Sequence, residues 1–178
     1  MRFAPMTFAL AVAFATPAMA VDEPDGYRMD DYDAPVPEEL TGATVVDDDA
    51  AYALWKTGRV VIIDVMPDLP RPKNLPKDVL WRGRKRDSIP GAIWLPYSGF
   101  GEIGPEAMGW LEEDLAAATG GDKDAPVMFL CRADCWMSWN ASKRALSMGY
   151  TRVFWYAEGS TGWRFWEWPM ERMRNRRR

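Results

Sequence analysis

The chain has 178 residues, with 26 acidic against 22 basic side chains, ten tryptophans, two cysteines and no histidine. Its net charge of −4 and the lack of a polybasic groove pattern argue against a nucleic-acid role. The missing histidine excludes cysteine–histidine hydrolases, histidine-ligated metals and c-type haem attachment, and removes the usual catalytic proton shuttle.

Residues 1–20 read as a secretory leader: Arg2 supplies the positive charge, an apolar run follows, and Ala18-Met19-Ala20 has the small-x-small pattern of a cleavage site. The apolar run is shorter than the roughly 20 residues a membrane span needs, so no stable span is expected. Export would place the two cysteines in an oxidising compartment, where they can pair. Residues 21–43 form an acidic, proline-bearing arm expected to be mobile or loosely packed.

A helix is predicted over 47–56, with acids at its positive end and Gly58 beyond it. The run Val60-Val61-Ile62-Ile63-Asp64-Val65 reads as a central parallel strand, with Asp64 near the end where open α/β sheets keep their sites, where it either serves a site or only ties a neighbouring loop. Residues 67–87 lack periodicity and carry Arg71, Lys73, Lys77, Arg82, Arg84, Lys85 and Arg86, a solvated basic face or an anion-attracting loop. Trp81 within it would plug against the domain or a partner. A turn at Pro90-Gly91, a brief strand, a glycine-rich loop and a helix over 106–118 follow, the helix placing Met108, Leu111 and Leu115 on one face.

The centre of the pattern is the stretch from Val127. Four apolar residues predict a buried strand, Cys131 ends it, and a helix is expected over about 137–148. Backbone N–H groups and the positive helix end near this loop would favour ionisation of a cysteine held there. Cys135 lies four residues on, and Ser138 or Asp134 is expected to cap the helix. Trp136 is expected to pack the helix start, and Arg144 to lie at the surface. A strand over 152–156 and a short aromatic helix over 163–168 close the domain, with Trp163 and Trp166 at core spacing. The basic tail from Arg172 is expected to fray. Strand–helix alternation gives an α/β fold, a small parallel sheet flanked by helices, over 44–168, with a tail over 169–178.

Several stretches resemble rhodanese-like domains. Val61-Ile62-Ile63-Asp64-Val65 is similar to the family's first strand motif, with Met66 where an arginine is common. Ser88-Ile89-Pro90-Gly91-Ala92 is similar to its "H-I-P-G-A" turn, and Cys131 to its persulfide-forming cysteine. Gly159 and Trp163 are similar to its closing loop, with Glu158 in place of a glycine. A narrower resemblance links Cys135-Trp136 and the leader to secreted Cys-x-x-(x)-Cys-Trp proteins of quinoprotein (pyrroloquinoline-quinone-dependent) alcohol catabolism.

The resemblance implies Cys131 and Cys135 as reactive residues, in a loop with Arg132, Ala133, Asp134, Trp136, Met137 and Ser138, supported by Asp64. Three chemistries remain open: sulfane-sulfur transfer through a Cys131 persulfide, dithiol–disulfide cycling, or a permanent disulfide in a non-catalytic binding module. Asp134 works against a dianionic sulfur donor, while Arg132 either steers an anion in or stays a solvated arginine. No cofactor is implied, and no metal, since two thiolates without histidine leave a four-ligand shell unfilled. Expected partners are a periplasmic quinoprotein dehydrogenase or its cytochrome, a thiol–disulfide partner or a small sulfur donor.

Overall fold

In the computed structural model, residues 21–68, 72–80 and 85–175 are described. The leader at 1–20, Trp81, Arg71, Arg82, Arg84 and the last three arginines lie outside them.

The elements run β1 (Thr44–Val46), α1 (Asp48–Lys56), β2 (Val61–Asp64), β3 (Asp87–Ser88), β4 (Ile93–Trp94), α2 (Pro105–Thr119), β5 (Val127–Leu130), α3 (Trp136–Ser147), β6 (Val153–Tyr156), α4 (Gly159–Phe165) and β7 (Glu171–Arg172). Five strands form one parallel sheet in the order β1-β6-β5-β2-β4, the predicted α/β architecture. The chain leaves β2 for the neighbouring β4 edge, then returns to β5, the middle strand, on β2's other side. Ligand crevices of open parallel sheets form at such switch points, outside the strands' carboxyl ends. The register sets Val46, Tyr156, Leu130, Asp64 and Trp94 in one row at that end, and Cys131 follows immediately.

Strand alternation sorts the core into two layers. Ile63, Val127, Phe129 and Val153 pack with Leu111 and Leu115 of α2 and Ala141 and Ala145 of α3. On the opposite face Ile62, Met128, Leu130 and Tyr156 pack with Ala51 of α1 and Trp163 of α4. Asp47 caps α1, its carboxylate accepting from Ala50 N at 2.8 Å, and Gly120 ends α2 with a left-handed φ of 65°. Among the described residues no helix is long and apolar enough to cross a membrane.

Outside the cysteine loop, four local expectations differ from the structure. The arm is packed, because α3 turns a row of donors toward it. Trp136 Nε1 reaches Pro35 O (3.1 Å), Trp139 Nε1 reaches Glu39 O (3.4 Å), and Lys143 Nζ reaches Pro24 O (3.0 Å). Asn140 holds both the N–H and the carbonyl of Arg28 at 2.9 Å. Beneath the arm, Leu40, Trp136, Trp139 and Trp155 form a third apolar cluster.

Arg144 is buried, only 2% exposed, because the glycine-rich loop offers it carbonyls that no strand uses. Its guanidinium donates to Ser98 O (2.6 Å), Phe100 O (2.9 Å) and Gly101 O (3.0 Å). The tail does not fray at Arg172. It forms β7, antiparallel to β3, with Arg172 paired to Asp87 and Met173 N donating to Arg86 O at 2.8 Å. Of the two tryptophans at core spacing, only Trp163 is buried, because α4 ends at Phe165. Trp166 is 51% exposed and donates to Asp48 Oδ2 at 2.7 Å.

Candidate functional site

Cys131 and Cys135 are joined in a disulfide across the β5–α3 turn, Cα to Cα 6.2 Å. Asp134 makes the turn possible with a left-handed φ of 51°, a conformation that Asp and Asn adopt more readily than most residues. Cys135 occupies the N-cap position of α3, and no side chain caps that end. Neither Asp134 nor Ser138 therefore serves as the cap. Asp134 is exposed. Ser138 is buried, donating back to Cys135 O (3.1 Å) and accepting from Trp155 Nε1 (3.0 Å), which ties the helix start to β6.

Cys131 is fully buried and Cys135 is 3% exposed. The Cys131 carbonyl is the best-held atom of the loop, accepting from Ser160 N (3.1 Å), Ser160 Oγ (2.8 Å) and Arg86 Nη2 (2.9 Å). Gly159 presses against it from α4. A Cβ there would stand 2.9 Å from both the carbonyl carbon and oxygen of Cys131, and the residue already has a φ of 52°. Gly159→Ala should thus lose about 1–2 kcal/mol from the left-handed backbone alone and more from the overlap, read as a lowered midpoint in urea denaturation.

Arg86 joins this carbonyl to the sheet. Its Nε and Nη2 donate to Asp64 Oδ2 at 2.8 and 2.6 Å, Ser88 Oγ donates to the same oxygen, and Met66 N donates to Oδ1 at 2.9 Å. Burial pushes the Asp64 carboxyl above its ordinary pKa, while Arg86, Ser88 and the Met66 N–H pull it back part of the way. Asp64 is thus both the loop tie at Met66 and half of a buried ion pair behind the disulfide.

The other loop residues are also engaged. Arg132 pairs with Asp33 of the arm and bridges Gly159 through its backbone. Ala133 N donates to Thr161 Oγ1 at 3.2 Å, and Trp136 N donates to Tyr32 O at 3.0 Å. Asp33 and Cys135 form an antiparallel bridge, so the arm lies across the loop like an added strand. Trp136 packs in the apolar cluster under the arm, while the two cysteines belong to the cluster on the sheet. In front of Cys135 opens a pocket of about 470 Å³, bordered by Asp31, Asp33, Met66, Arg132, Cys135 and Met137.

All nine residues singled out from the sequence lie in or directly behind this loop. Arg86, Ser160, Met66, Tyr32 and Asp33 were not among them. Arg86 was hidden in a run of bases, and its place immediately before the Asp87-Ser88-Ile89-Pro90 turn was the one usable signal.

The rhodanese-like domain family model matches residues 47–165. The chain belongs to the rhodanese-like domain family. Among solved structures it is similar to a thiosulfate sulfurtransferase from Pseudomonas aeruginosa, at 18% identity and a TM-score of 0.49, over 75% of this chain but only 21% of that one. It is also similar to the homodimeric polysulfide-sulfur transferase of Wolinella succinogenes (16% identity, TM-score 0.45, 77% and 84% of the two chains). A human single-domain sulfurtransferase matches at 22% identity and a TM-score of 0.40, over 69% and 96%. No curated protein matches the chain.

Proposed function

We propose that this is a periplasmic thiol–disulfide protein on a rhodanese-like scaffold, in which Cys135 is the sulfur that a partner thiolate attacks. One observation carries the reading: Cys135 borders the pocket while Cys131 lies behind it, fully buried. An incoming thiolate bonds to Cys135 Sγ, the Cys131–Cys135 bond breaks, and Cys131 leaves as the thiolate. The partner's second thiol, once deprotonated, then attacks the partner sulfur of the mixed disulfide and releases Cys135. The partner is oxidised by two electrons and the pair is reduced to two thiols.

Sulfane transfer from thiosulfate is the weaker chemistry here. Asp31 and Asp33 stand at the pocket rim, Arg132 is paired with Asp33, and the Trp136 and Ala133 amides are already bonded. A dianionic donor would meet carboxylates and few free donors. The periplasmic placement rests on the leader pattern at 1–20, and the pathway on the resemblance to secreted Cys-x-x-(x)-Cys-Trp proteins. A quinoprotein dehydrogenase or its cytochrome is the partner system proposed on that ground. The near-complete burial of both sulfurs favours a second reading, an accessory module with a permanent disulfide.

Intact mass separates the readings. Incubation with a thioredoxin-like dithiol protein should add about 2 Da as the pair is reduced. A bond that survives that treatment in the folded protein overturns the redox reading in favour of the accessory module. A gain of about 32 Da after reduction and exposure to thiosulfate would move the assignment to sulfur transfer.

A further inference from the structure

Four sulfur-bearing side chains meet at the mouth of this loop. Met66, Cys135 and Met137 border the same pocket. Met66 Sδ lies 3.5 Å from Cys131 Sγ, and all four side chains belong to one apolar cluster. Arg86 reaches Asp64 from the β3 side, so position 66 is left to a thioether rather than a charge. The pocket rim adds Asp31 and Asp33, which pair with Arg28 and Arg132. The space is therefore rich in soft donors and carries no unpaired positive charge on its rim to repel a cation.

We propose that the reduced protein binds one copper(I) ion through Cys131, Cys135 and Met66, with Met137 as the fourth donor. The inference rests on the redox reading, because the thiols must first be freed. Among the described residues no group of three or more histidine, cysteine, aspartate and glutamate ligands could hold a metal. The two methionines supply the donors that a histidine-free chain otherwise lacks. Soft sulfur ligands select copper(I) and zinc, but zinc sites are built from cysteine, histidine and carboxylates rather than thioethers, whereas magnesium, calcium and manganese require oxygen donors and copper(II) favours nitrogen and oxygen. Two sulfurs each about 2.3 Å from one ion, the length of a zinc–thiolate bond, stand about 3.8 Å apart at a tetrahedral angle. The Met66–Cys131 separation of 3.5 Å is close to that span. Binding is balanced simply: a dithiol reductant converts the disulfide to two thiols and becomes a disulfide itself. The ion then displaces two protons to solvent.

The test uses the full chain, reduced anaerobically with a dithiol that is then removed. Intact mass is read first, then copper(I) is titrated in competition with bicinchoninate. The expected result is one ion per chain withdrawn from the chelator. Loss of an outer-shell partner alone costs about 10–100-fold in metal affinity, so Met66→Leu should weaken binding at least tenfold. Met137→Leu should weaken it measurably, and Cys131→Ser should abolish competition. Leucine conserves the apolar volume, so these variants should fold. X-ray absorption of the wild-type complex should show sulfur ligands only. A protein that gains about 2 Da but leaves copper with the chelator overturns this inference and spares the redox reading. Unchanged affinity in both methionine variants, or nitrogen and oxygen ligands in the absorption spectrum, also overturns it. Failure to gain the mass at all removes the redox reading and the copper site with it.

Discussion

Arg86→Ala should destabilise the protein by about 3–5 kcal/mol at neutral pH, the usual cost of removing one partner of a buried ion pair. The substitution leaves Asp64, which is fully buried, without its counter-charge, and takes a donor from the Cys131 carbonyl. The loss should depend on pH with a defined sign. Burial already holds the Asp64 carboxyl above its ordinary pKa, and Arg86 is the largest influence pulling it down. Without Arg86 the folded-state pKa rises further above the unfolded value. The stability contributed by a protonated Asp64 is fully present below the unfolded pKa and is lost as pH rises through the folded one. The variant's deficit relative to wild type should therefore be largest at neutral and alkaline pH and shrink on acidification. Urea denaturation across that range measures it. Pairing the change with Asp64→Leu should recover much of the loss, because an apolar pair removes the orphaned charge. A deficit that grows toward acid would show that Asp64 stays ionised in the variant.

The second large effect is expected at Trp136. Trp136→Ala should cost about 3–5 kcal/mol through the cavity left among Leu40, Trp139 and Trp155. It should also loosen the arm, since the indole N–H holds Pro35 O and the ring lies under the Arg28 guanidinium, 5.2 Å from its centroid. The arm lies across Cys135, so its release should speed reduction by a small dithiol, followed by thiol trapping and mass. Trp136→Phe keeps most of the ring but loses the N–H, and should cost about 1 kcal/mol for that bond. An unchanged reduction rate in the alanine variant would mean that the arm does not control access. On this account the tryptophan after the second cysteine holds a cover in place rather than contacting the sulfurs.

The central strands were legible because a strand buried on both faces must be apolar without a break. β5 begins and ends as its four apolar residues predict, and β2 and β6 lie within the runs read for them. Cys131 could be placed at a strand end for the same reason. The remaining structure depends on partners far away in the chain. Arg86 reads like its basic neighbours until Asp64, 22 residues earlier, is beside it. The arm is acidic and carries prolines, yet it is held by donors of α3 100 or more residues on, which act on backbone carbonyls that no side-chain pattern reveals. β1 and β7 are only three and two residues long, too short for a periodic signal, and each exists because a partner strand is already in place. Arg144 was misread because an arginine is seldom buried without a carboxylate, and here three loop carbonyls take that part.

The pairing of β7 with β3 bears on how the molecule is assembled during synthesis. Arg86 is steadied by Met173, whose N–H reaches its carbonyl, and its neighbour Asp87 is held by Arg172. A ribosome adds those residues after both cysteines and every strand of the parallel sheet. The segment that steadies the charge behind the sulfurs is thus made after the sheet itself, and until β7 arrives a nascent chain holds Arg86 by its bonds to Asp64 and the Cys131 carbonyl alone.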